Sequence, residues 1–472
     1  MKTLDVKKIT EAIRTWAVQV NTDLPKDVEQ ALEQGRAQEE SPFGIYCFDQ
    51  ILANAKLARE EHQAMCQDTG TMVVYCNVGQ DLHLVGSDVT QAINEGVRLG
   101  YDEGYLRRSI VEEPVFERTN TGDNTPAVIH YNIVPGDQCE LILMPKGGGA
   151  ENMGALGMLK PTAGREGVID FVVDAVSKAG GNPCPPIIVG VGIGGTMEKA
   201  TAIAKEALAR EIGSHHADPR YADMEQEILA RVNKLGIGPQ GLGGRVTALA
   251  VHINTYPCRV AASGCQHQLP RSAARAHRAR RRGELIMEKH IHVPFVAEEL
   301  ADLRAGDTVM LSGVIYTSRD KAHKRMVETL DRGEALPVDW HDQLIYYAGP
   351  TPAKPGQAIG SIGPTTSSRM DAFASRLMDE AGLKGMLGKG PRSQAVCEAI
   401  TRNGAVYMVA IGGTGAAISK SVKKAEVIAY DDLGTEAVRR LEIENLAAIV
   451  AIDAHGGNLF ETGRAQYAEI DD

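Results

Sequence analysis

The sequence predicts an α/β protein built in two parts, a larger N-terminal part with mixed α+β structure and a smaller α/β C-terminal part. Strand-like runs at residues 187–195 and 407–415 each end in a glycine-rich turn that leads into a helix-like run, an order typical of α/β folds. An arginine-rich stretch at residues 262–282 has no periodicity, and the segment after it reads like a new N-terminus. We therefore predict two parts, at residues 1–285 and 287–472.

The composition is that of an ordinary globular chain. Its 472 residues predict two or three domains with an ample core, and its hydrophobic fraction is 43%. The net charge of −11 argues against a general nucleic-acid binder, which needs a basic surface. No apolar stretch approaches the roughly 20 residues of a membrane span, and the N-terminus has no apolar leader. Because eight cysteines are too few for a disulfide scaffold, we expect a cytoplasmic protein whose thiols are ligands, nucleophiles or core residues.

The N-terminal part is predicted to begin with helices and then to alternate strands with loops. Apolar residues recur at helical spacing from Ile9 to Trp16. A strand is predicted at residues 72–78, followed by a helix that Ser87 caps. That helix leads to Arg107.

A polar motif precedes the first of these strands. Cys66 is followed by Gln67, Asp68, Thr69 and Gly70, which bring an amide, a carboxylate, a hydroxyl and a flexible turn next to a thiol. A lone cysteine is usually a small buried hydrophobic residue. A second cysteine and several glycine- and arginine-rich loops further along the chain favour a functional site instead.

Three glycines follow a predicted strand at residues 139–144. Gly147, Gly148 and Gly149 precede a helix-like run, with Lys146 beside them. The N–H groups of such a turn can hold an anion. A plain tight turn is the alternative interpretation.

Cys184 precedes a buried strand and a formal GxGxxG motif at residues 190–195. In dinucleotide-binding folds this motif is followed, roughly 20 residues on, by a second strand that ends in an acidic residue. Here the helix-like run continues from Ala200 to Ile212. We therefore predict no dinucleotide site.

The C-terminal part places three cations in loops rich in glycine or hydroxyl groups. They are Arg319, Arg369 and Lys389, and the adjacent hydroxyls of Thr365 and Thr366 lie close to Arg369 in sequence. Any one of these cations by itself would be interpreted as a surface salt bridge. Three of them in such loops favour a pocket for a dicarboxylate, and both interpretations stay open.

With these motifs assembled, the chain closely resembles the class I, iron–sulfur-dependent fumarate hydratases and the related L(+)-tartrate dehydratases. The resemblance extends over nearly the whole chain, in six motifs at residues 66–70, 120–127, 146–149, 184–196, 319–325 and 363–371. It implies that residues 1–285 correspond to an α-type, cluster-binding subunit and residues 287–472 to a β-type subunit. It also implies a small dicarboxylate substrate and a homodimer, with no nucleic acid or membrane partner.

The resemblance further implies a [4Fe–4S] cluster held by three cysteines, with one iron open to substrate. By position, Cys66 and Cys184 match the first two ligands. Thr365 and Asp68 match the residues implicated in proton transfer at carbon and at the hydroxyl. A threonine is a poor base at its ordinary pKa, so this role requires a cationic pocket. The residues that match substrate-binding positions are Gln67, Arg107, Gly149, Arg319, Thr366, Arg369 and Lys389.

At the third cluster ligand the chain departs from the family. Arg259 stands where a histidine is expected, and Cys265 lies in an unusual segment. Codons for that segment, read one nucleotide out of phase, can spell Val-Ala-Ser-Ile-Asn-Cys-His-Ala-Ala-Arg-His, as the family leads one to expect. We interpret residues 264–282 as a frameshifted reading, a hypothesis that sequencing the gene tests. In the chain as written, Cys265 or Cys258 is the candidate third ligand.

Two other classes of function stay open. A relative without a competent cluster fits the departure at the third ligand. A nucleotide- or phosphate-binding α/β protein would use the same glycine loops without iron. Within the hydro-lyase interpretation, fumarate and malate are favoured over tartrate because no feature of the sequence demands a partner for an additional hydroxyl group.

Overall fold

A computed structural model describes residues 2–258, 263–268 and 288–469 of the chain, with the backbone alone described for residues 263–268 and 288. It confirms a mixed α/β architecture. Within the described residues, no helix combines the length and the apolar character needed to cross a membrane. The predicted boundary near residues 285–287 lies outside the described residues or at their edge, and it stays a prediction.

The N-terminal part contains three small sheets surrounded by helices. Its helices are α1 (Val6–Thr22), α2 (Lys26–Gln38), α3 (Pro42–Glu60), α4 (Val89–Glu103), α5 (Gly148–Glu151), α6 (Gly164–Ala179), α7 (Met197–Ala207) and α8 (Pro219–Lys234). Its strands are β1 (Lys2–Asp5), β2 (Thr71–Gly79), β3 (Leu82–Val85), β4 (Val128–Val134), β5 (Cys139–Lys146), β6 (Ala155–Leu159), β7 (Ile187–Gly194), β8 (Ala248–Tyr256) and β9 (Ser263–Gln268). The sheets have the orders β1-β3, β4-β2-β5 and β6-β9-β7-β8.

The predicted helices at the N-terminus are present, and their apolar spacing is only partly a guide to burial. Ile9 and Ile13 are buried in the core, whereas Trp16 is 40% exposed. The helix predicted after the first strand is α4, but Ser87 does not cap it. Asp88 is the N-cap, and its carboxylate accepts the N–H of Gln91 at 2.8 Å. Serine and aspartate are both good caps, so local sequence alone did not distinguish the two neighbours.

Glycines in β7 allow α7 to pack directly on this strand. A Cβ atom on Gly190 would lie 2.3 Å from the carbonyl oxygen of Ala204, and one on Gly192 would lie 2.1 Å from that of Ala200. The strand is also paired on both sides, parallel with β8 and antiparallel with β9. Gly190 and Gly192 of the GxGxxG run therefore have a packing role, and the absence of a dinucleotide site stays a prediction.

The C-terminal part is organised around a seven-stranded sheet. Its strands are β10 (Glu288–Val293), β11 (Thr308–Thr317), β12 (Leu344–Tyr346), β13 (Gly385–Gly388), β14 (Val406–Val409), β15 (Val422–Ala429) and β16 (Val438–Ile452). Its helices are α9 (Ala297–Ala301), α10 (Asp320–Asp331), α11 (Asp371–Ala381), α12 (Gln394–Asn403), α13 (Gly415–Ser421) and α14 (Leu459–Tyr467). Because β16 pairs with both β11 and β14, the strands β11-β12-β13-β14-β16 close on themselves into a small barrel. We call these five the barrel strands.

The largest hydrophobic core is shared by the two parts. Leu32 and Phe48, from α2 and α3, belong to the same buried cluster as Trp340, Met386 and Tyr407. Burial of apolar surface across this contact fixes the N-terminal helices against the C-terminal sheet. The loops that lie at the edge of the contact are therefore held at fixed positions relative to one another.

Candidate active site

A polar cavity of about 380 Å³ lies where the loops of the two parts meet. The N-terminal part lines it with one set of residues, which we call the N-terminal wall: Cys66, Gln67, Asp68, Arg107, Gly147, Gly148, Gly149 and Cys184. The C-terminal part contributes a second set, the C-terminal wall: Arg319, Thr365, Thr366, Arg369 and Lys389. The cavity thus brings together the residues that the sequence analysis selected, apart from the two candidate third ligands: Cys258 does not line it, and for Cys265 the structure describes the backbone alone.

The loop that carries Cys66 joins α3 to β2 and packs on the C-terminal part. The Sγ of Cys66 lies 3.3 Å from Oε1 of Gln67, and the Nε2 of Gln67 donates to the carbonyl of Pro364 at 3.1 Å. Gly415 lies so close that a Cβ on it would be 3.0 Å from the Gln67 nitrogen and 3.4 Å from the Cys66 Cα. The motif is therefore fastened to the loop that precedes Thr365.

The glycine loop after β5 already holds an anion, which is a carboxylate of the chain itself. Oδ2 of Asp68 accepts the N–H of Gly148 at 2.9 Å, and Oδ1 accepts that of Gly70 at 3.2 Å. Arg107 completes the arrangement with an ion pair of 2.9 Å to Asp68. The predicted anion-binding turn is therefore present, but the N–H of Gly148 orients Asp68. The helix α5 that follows has only four residues.

Arg107 connects the two walls. Its backbone N–H donates to Oγ1 of Thr69 at 2.8 Å, which fixes it against the Cys66 loop. Its Nη1 donates to the carbonyl of Gly349, in the C-terminal part, at 3.0 Å. The side chain is buried, so these contacts are shielded from water and stronger than they would be at the surface.

Cys184 lies in the turn between α6 and β7, in a left-handed backbone conformation with φ of 62°. Residues other than glycine, asparagine and aspartate rarely adopt this conformation. It places the thiol beside the C-terminal part, where Lys389 Nζ lies 2.7 Å from the Cys184 Sγ. A Cβ on Gly412 would lie 2.4 Å from the same sulfur, so a glycine is needed on this side of it.

Lys389 is held in its charged form by this environment. Burial lowers the pKa of the Lys389 ammonium, but the hydrogen bond and charge of Cys184, with the charges of Cys66 and Asp68, outweigh that effect. The net pKa is raised above the ordinary value for lysine. Gly149 permits the close approach, because a Cβ there would lie 3.1 Å from Lys389 Nζ.

Arg319 and Arg369 form the cationic face of the C-terminal wall. Burial lowers the pKa of Arg319, and the neighbouring Arg107 and Arg369 lower it further, while Glu436 and Asp320 oppose them. The carboxylates are not close partners of Arg319, at 3.5 Å for Glu436 and 3.8 Å for Asp320. Arg369 is more exposed and pairs with Asp320 at 2.7 Å. Excess positive charge beside a cavity favours an anionic ligand.

Thr365 and Thr366 lie on an extended segment between the barrel strands. The N–H of Thr365 donates to the carbonyl of Tyr347 at 2.7 Å. Thr366 forms a parallel bridge with Lys389, so a hydroxyl-bearing residue and an ammonium-bearing residue are locked side by side. Both threonines are partly buried and line the cavity.

The third predicted sulfur cannot be placed with the other two. The backbone of Cys265 belongs to β9, opposite Gly157 of β6, but its side chain lies outside the described residues. Cys258 is exposed. Among the described side chains, no group of three or more His, Cys, Asp or Glu residues lies close enough to bind a metal ion. The described part of the cavity therefore offers two thiols to a cluster, from Cys66 and Cys184.

Glu436 is the participant that the sequence did not reveal. It is the last residue of a short 3₁₀ helix, Asp431–Glu436, and it approaches Arg319, 117 positions earlier in the chain, at 3.5 Å. A single glutamate at the end of an acidic turn carries no local signal. Only the path of β16 back along β11 brings it to the site.

Comparisons with known proteins find relatives whose sequences match both the N-terminal and the C-terminal part of the chain. The family described as fumarate hydratase (fumerase) matches residues 10–277, and that described as fumarase C-terminus matches residues 264–463. The aerobic class I fumarate hydratase of Salmonella typhimurium is 32% identical over 93% of this chain and 82% of its own length. Fumarate hydratase 2 of Leishmania major is 30% identical over 88% of this chain and 79% of its own length.

An archaeal relative matches only the N-terminal part. It comes from Methanocaldococcus jannaschii, is provisionally named as the alpha subunit of L(+)-tartrate dehydratase, and is 41% identical over 55% of this chain and 91% of its own length. The full-length relatives and the two family matches cover both walls of the cavity. The chain therefore belongs to the class I fumarate hydratase family of hydro-lyases.

Proposed function

We propose that the chain catalyses the reversible hydration of fumarate to (S)-malate with the help of a [4Fe–4S] cluster. The observation that carries this proposal is the meeting, in one cavity, of two thiols with Arg107, Arg319 and Lys389. Thiols suit an iron–sulfur cluster, and convergent cations suit a dicarboxylate. The N-terminal part supplies the two thiols and Arg107, and the C-terminal part supplies Arg319 and Lys389.

Cys66 and Cys184 would hold the cluster, with Cys265 as the third ligand of the chain as written. When bound, such a cluster supplies Lewis-acid chemistry that makes a hydroxyl group a better leaving group. The ammonium group of Lys389 lies 2.7 Å from the Cys184 sulfur, so a cation stands directly beside one of the two proposed ligands.

The substrate carboxylates would be bound by the cationic face. Arg319 and Arg369 offer planar guanidinium groups that can each bind a carboxylate through two hydrogen bonds. Arg107 and Lys389 line the same cavity, together with Gln67, Gly149 and Thr366. Binding both ends of a dicarboxylate fixes the central carbons relative to the proton-transfer groups, which converts binding energy into orientation.

Proton transfer would involve Asp68 and Thr365. The carboxylate of Asp68 is oriented by Arg107 and by the N–H groups of Gly70 and Gly148, so it can accept or return a proton at the hydroxyl without reorganising. Thr365 would serve the carbon. Its hydroxyl becomes basic enough only if nearby cations stabilise the negative charge that develops on its oxygen.

Anaerobic reconstitution with iron and sulfide tests this function. We expect a brown protein that hydrates fumarate and dehydrates (S)-malate, with iron and sulfide contents near one cluster per chain. A protein that takes up no iron and has no activity would instead be a relative with an incomplete ligand set. The variants Cys265→Ser and Cys258→Ser then identify the third ligand. Loss of the cluster in Cys265→Ser but not in Cys258→Ser would show that the ligand is Cys265.

L(+)-tartrate dehydration is the second candidate, because the archaeal relative that matches the N-terminal part carries that name. Tartrate differs from malate by one hydroxyl group. Steady-state kinetics of the reconstituted chain on (S)-malate and on both enantiomers of tartrate decide between the two reactions. A higher kcat/KM for L(+)-tartrate than for malate would overturn the fumarate assignment.

We also propose a homodimer divided, within each chain, into the parts 1–285 and 287–472. The family resemblance supports both statements. Sedimentation of the full chain and limited proteolysis test them: we expect a dimer and first cleavage at the predicted boundary near residues 285–287. A monomer, or first cleavage within the barrel strands, would contradict this organisation.

A further inference from the structure

A buried network lies behind the C-terminal wall, on the side of Thr366 and Lys389 that faces away from the cavity. We propose that Tyr407 and Arg392 are positioning residues that hold Lys389 and Thr365 in place through Ser367 and Tyr347. This inference rests on the proposed function, since it concerns the residues that would bind and deprotonate the substrate. It adds two side chains that do not line the cavity themselves.

Ser367 is the centre of the network. Its Oγ accepts the backbone N–H of Lys389 at 3.0 Å, and its own N–H donates to the carbonyl of Lys389 at 2.9 Å. A Cβ on Gly388 would lie 1.9 Å from that Oγ, so the preceding residue must be glycine for the serine to approach. Ser367 therefore holds the backbone of Lys389 from both its N–H and its carbonyl.

Tyr407 extends this contact to the next residue. Its hydroxyl lies 2.8 Å from Oγ of Ser367 and 2.8 Å from the carbonyl oxygen of Gly390. Tyr407 is the donor to both oxygens, which share its single proton, and Ser367 Oγ also accepts the N–H of Lys389. These contacts close a circuit of hydrogen bonds around the backbone of Lys389 and Gly390. The side chains of Ser367 and Tyr407 are fully buried, so water cannot replace a missing member without cost.

Arg392 fixes the tyrosine ring. Its side chain is fully buried and its Nε donates to Oδ1 of Asp371 at 2.7 Å. The guanidinium carbon lies 5.0 Å from the ring centroid of Tyr407 and 5.4 Å from that of Tyr347, within the range of cation–π attraction. The carbonyl of Tyr347 accepts the N–H of Thr365. One cation thus steadies the two rings that support Lys389 and Thr365.

The chain provides a matched control for this inference. Tyr347 and Tyr407 are both fully buried and both contact Arg392. The hydroxyl of Tyr347 faces Arg392 and, among the described residues, forms no hydrogen bond of standard geometry, whereas that of Tyr407 bridges Ser367 and Gly390. Phenylalanine keeps the ring at both positions, but only Tyr407→Phe breaks the circuit around Lys389.

The test compares Tyr407→Phe, Tyr347→Phe and the unmodified chain after reconstitution to equal cluster content. We expect Tyr407→Phe to lower kcat/KM for (S)-malate about tenfold, because a displaced Lys389 binds the carboxylate poorly and misaligns the substrate. Tyr347→Phe should stay within twofold. The deuterium isotope effect on removal of the malate C3 proton should rise in Tyr407→Phe, a change that a merely structural role would not produce.

Equal kinetics for the two variants would overturn the inference. If Tyr407→Phe does not fold, Ser367→Ala removes the same hydroxyl contact and is expected to show the same loss. A wild-type chain without activity would mean that the proposed function has failed. The inference is then judged on hydrogen–deuterium exchange of the backbone N–H of Lys389, which donates to Ser367 Oγ. Exchange should be severalfold faster in Tyr407→Phe than in the unmodified chain and unchanged in Tyr347→Phe. Unchanged exchange in both variants would again overturn the inference.

Discussion

The two walls of the cavity differ in how their functional groups are held. In the N-terminal wall, backbone atoms satisfy the charged group: Asp68 is fixed by two backbone N–H groups and by Arg107. In the C-terminal wall, the cations have long contacts to their carboxylates, as for Arg319, or reach across to the other wall, as Lys389 does to Cys184. In the N-terminal wall the charge of Asp68 is compensated by Arg107, whereas the C-terminal wall carries a net positive charge.

This difference assigns different work to the two parts. A wall whose polar groups are satisfied can hold a cluster and a proton-transfer group in fixed positions. A wall with excess positive charge gains most when an anionic substrate arrives, because the ligand relieves the repulsion among Arg107, Arg319 and Arg369. We therefore expect changes at the thiols of the N-terminal wall to affect cluster content, and changes at the cations of the C-terminal wall to affect substrate binding.

The largest effect is expected from removing a thiol of the N-terminal wall. Cys184→Ser should lower cluster content and activity more than about 100-fold. Removing a residue that only hydrogen-bonds to a metal ligand already lowers metal affinity or activity by about 10- to 100-fold, and Cys184 would be a ligand itself. Iron and sulfide analysis after reconstitution measures it. Cys397→Ser is the matched control, because Cys397 lies in α12 of the other part and is partly buried as well. A Cys184→Ser protein with full iron content would contradict the division of work.

A large effect on substrate binding is expected from Arg319→Met. Losing a charge-assisted hydrogen bond to a carboxylate costs about 1.5–3 kcal/mol, so kcat/KM should fall about 10- to 100-fold, with cluster content unchanged. Arg325→Met serves as the control, because Arg325 is bound to Asp432 at the surface of the same part. It should change kcat/KM less than twofold. If both variants lose the cluster, the two walls do not act separately.

A smaller effect tests the contact between the walls. Gly412→Ala places a methyl group 2.4 Å from the Cys184 sulfur, which must move away from Lys389. Overpacking of this kind costs about 1–3 kcal/mol, so reconstitution should yield roughly tenfold less cluster at limiting iron. Gly148→Ala is the control, since a Cβ there meets no atom within 4 Å. Equal cluster yields in the two variants would show that Cys184 tolerates displacement.

The last effect concerns the stability of the fold in acid and leaves catalysis at neutral pH unchanged. Burial lowers the pKa of His323, whose Nδ1 lies 3.0 Å from the carbonyl oxygen of Arg319, to about 4. The unfolded chain takes up this proton near pH 6.5 and the folded chain only near pH 4. Stability is therefore complete above pH 6.5 and falls as the pH drops to 4, by about 3 kcal/mol.

Denaturant unfolding of His323→Phe at pH 7 and pH 4.5 measures that contribution. The variant should lose less stability between the two pH values than the unmodified chain. His341→Ala is the control, since the side chain of His341 is 70% exposed. An unchanged pH dependence in His323→Phe would show that the loss of stability in acid comes from protonation of other groups and not of His323.

Local sequence predicted much of the secondary structure. The strand predicted at residues 72–78 is β2, and the helix expected near the N-terminus is α1, because hydrophobic periodicity and turn residues act over short distances. The same locality explains the error at Ser87, where the next residue was an equally good cap. The sequence also identified the types of residue that the cavity would need, since thiols, arginines and glycine turns each form recognisable short motifs.

The chain by itself determined its family and its candidate ligands, because these depend on residue identity and order along the polypeptide. Only the tertiary structure decided which of them meet. Lys389 and Cys184 are 205 positions apart, yet their side chains are in contact. Asp68, rather than an external anion, accepts the N–H of Gly148. Such pairings follow from the burial of a shared core between the two parts, a long-range effect for which no short stretch of sequence carries a signal.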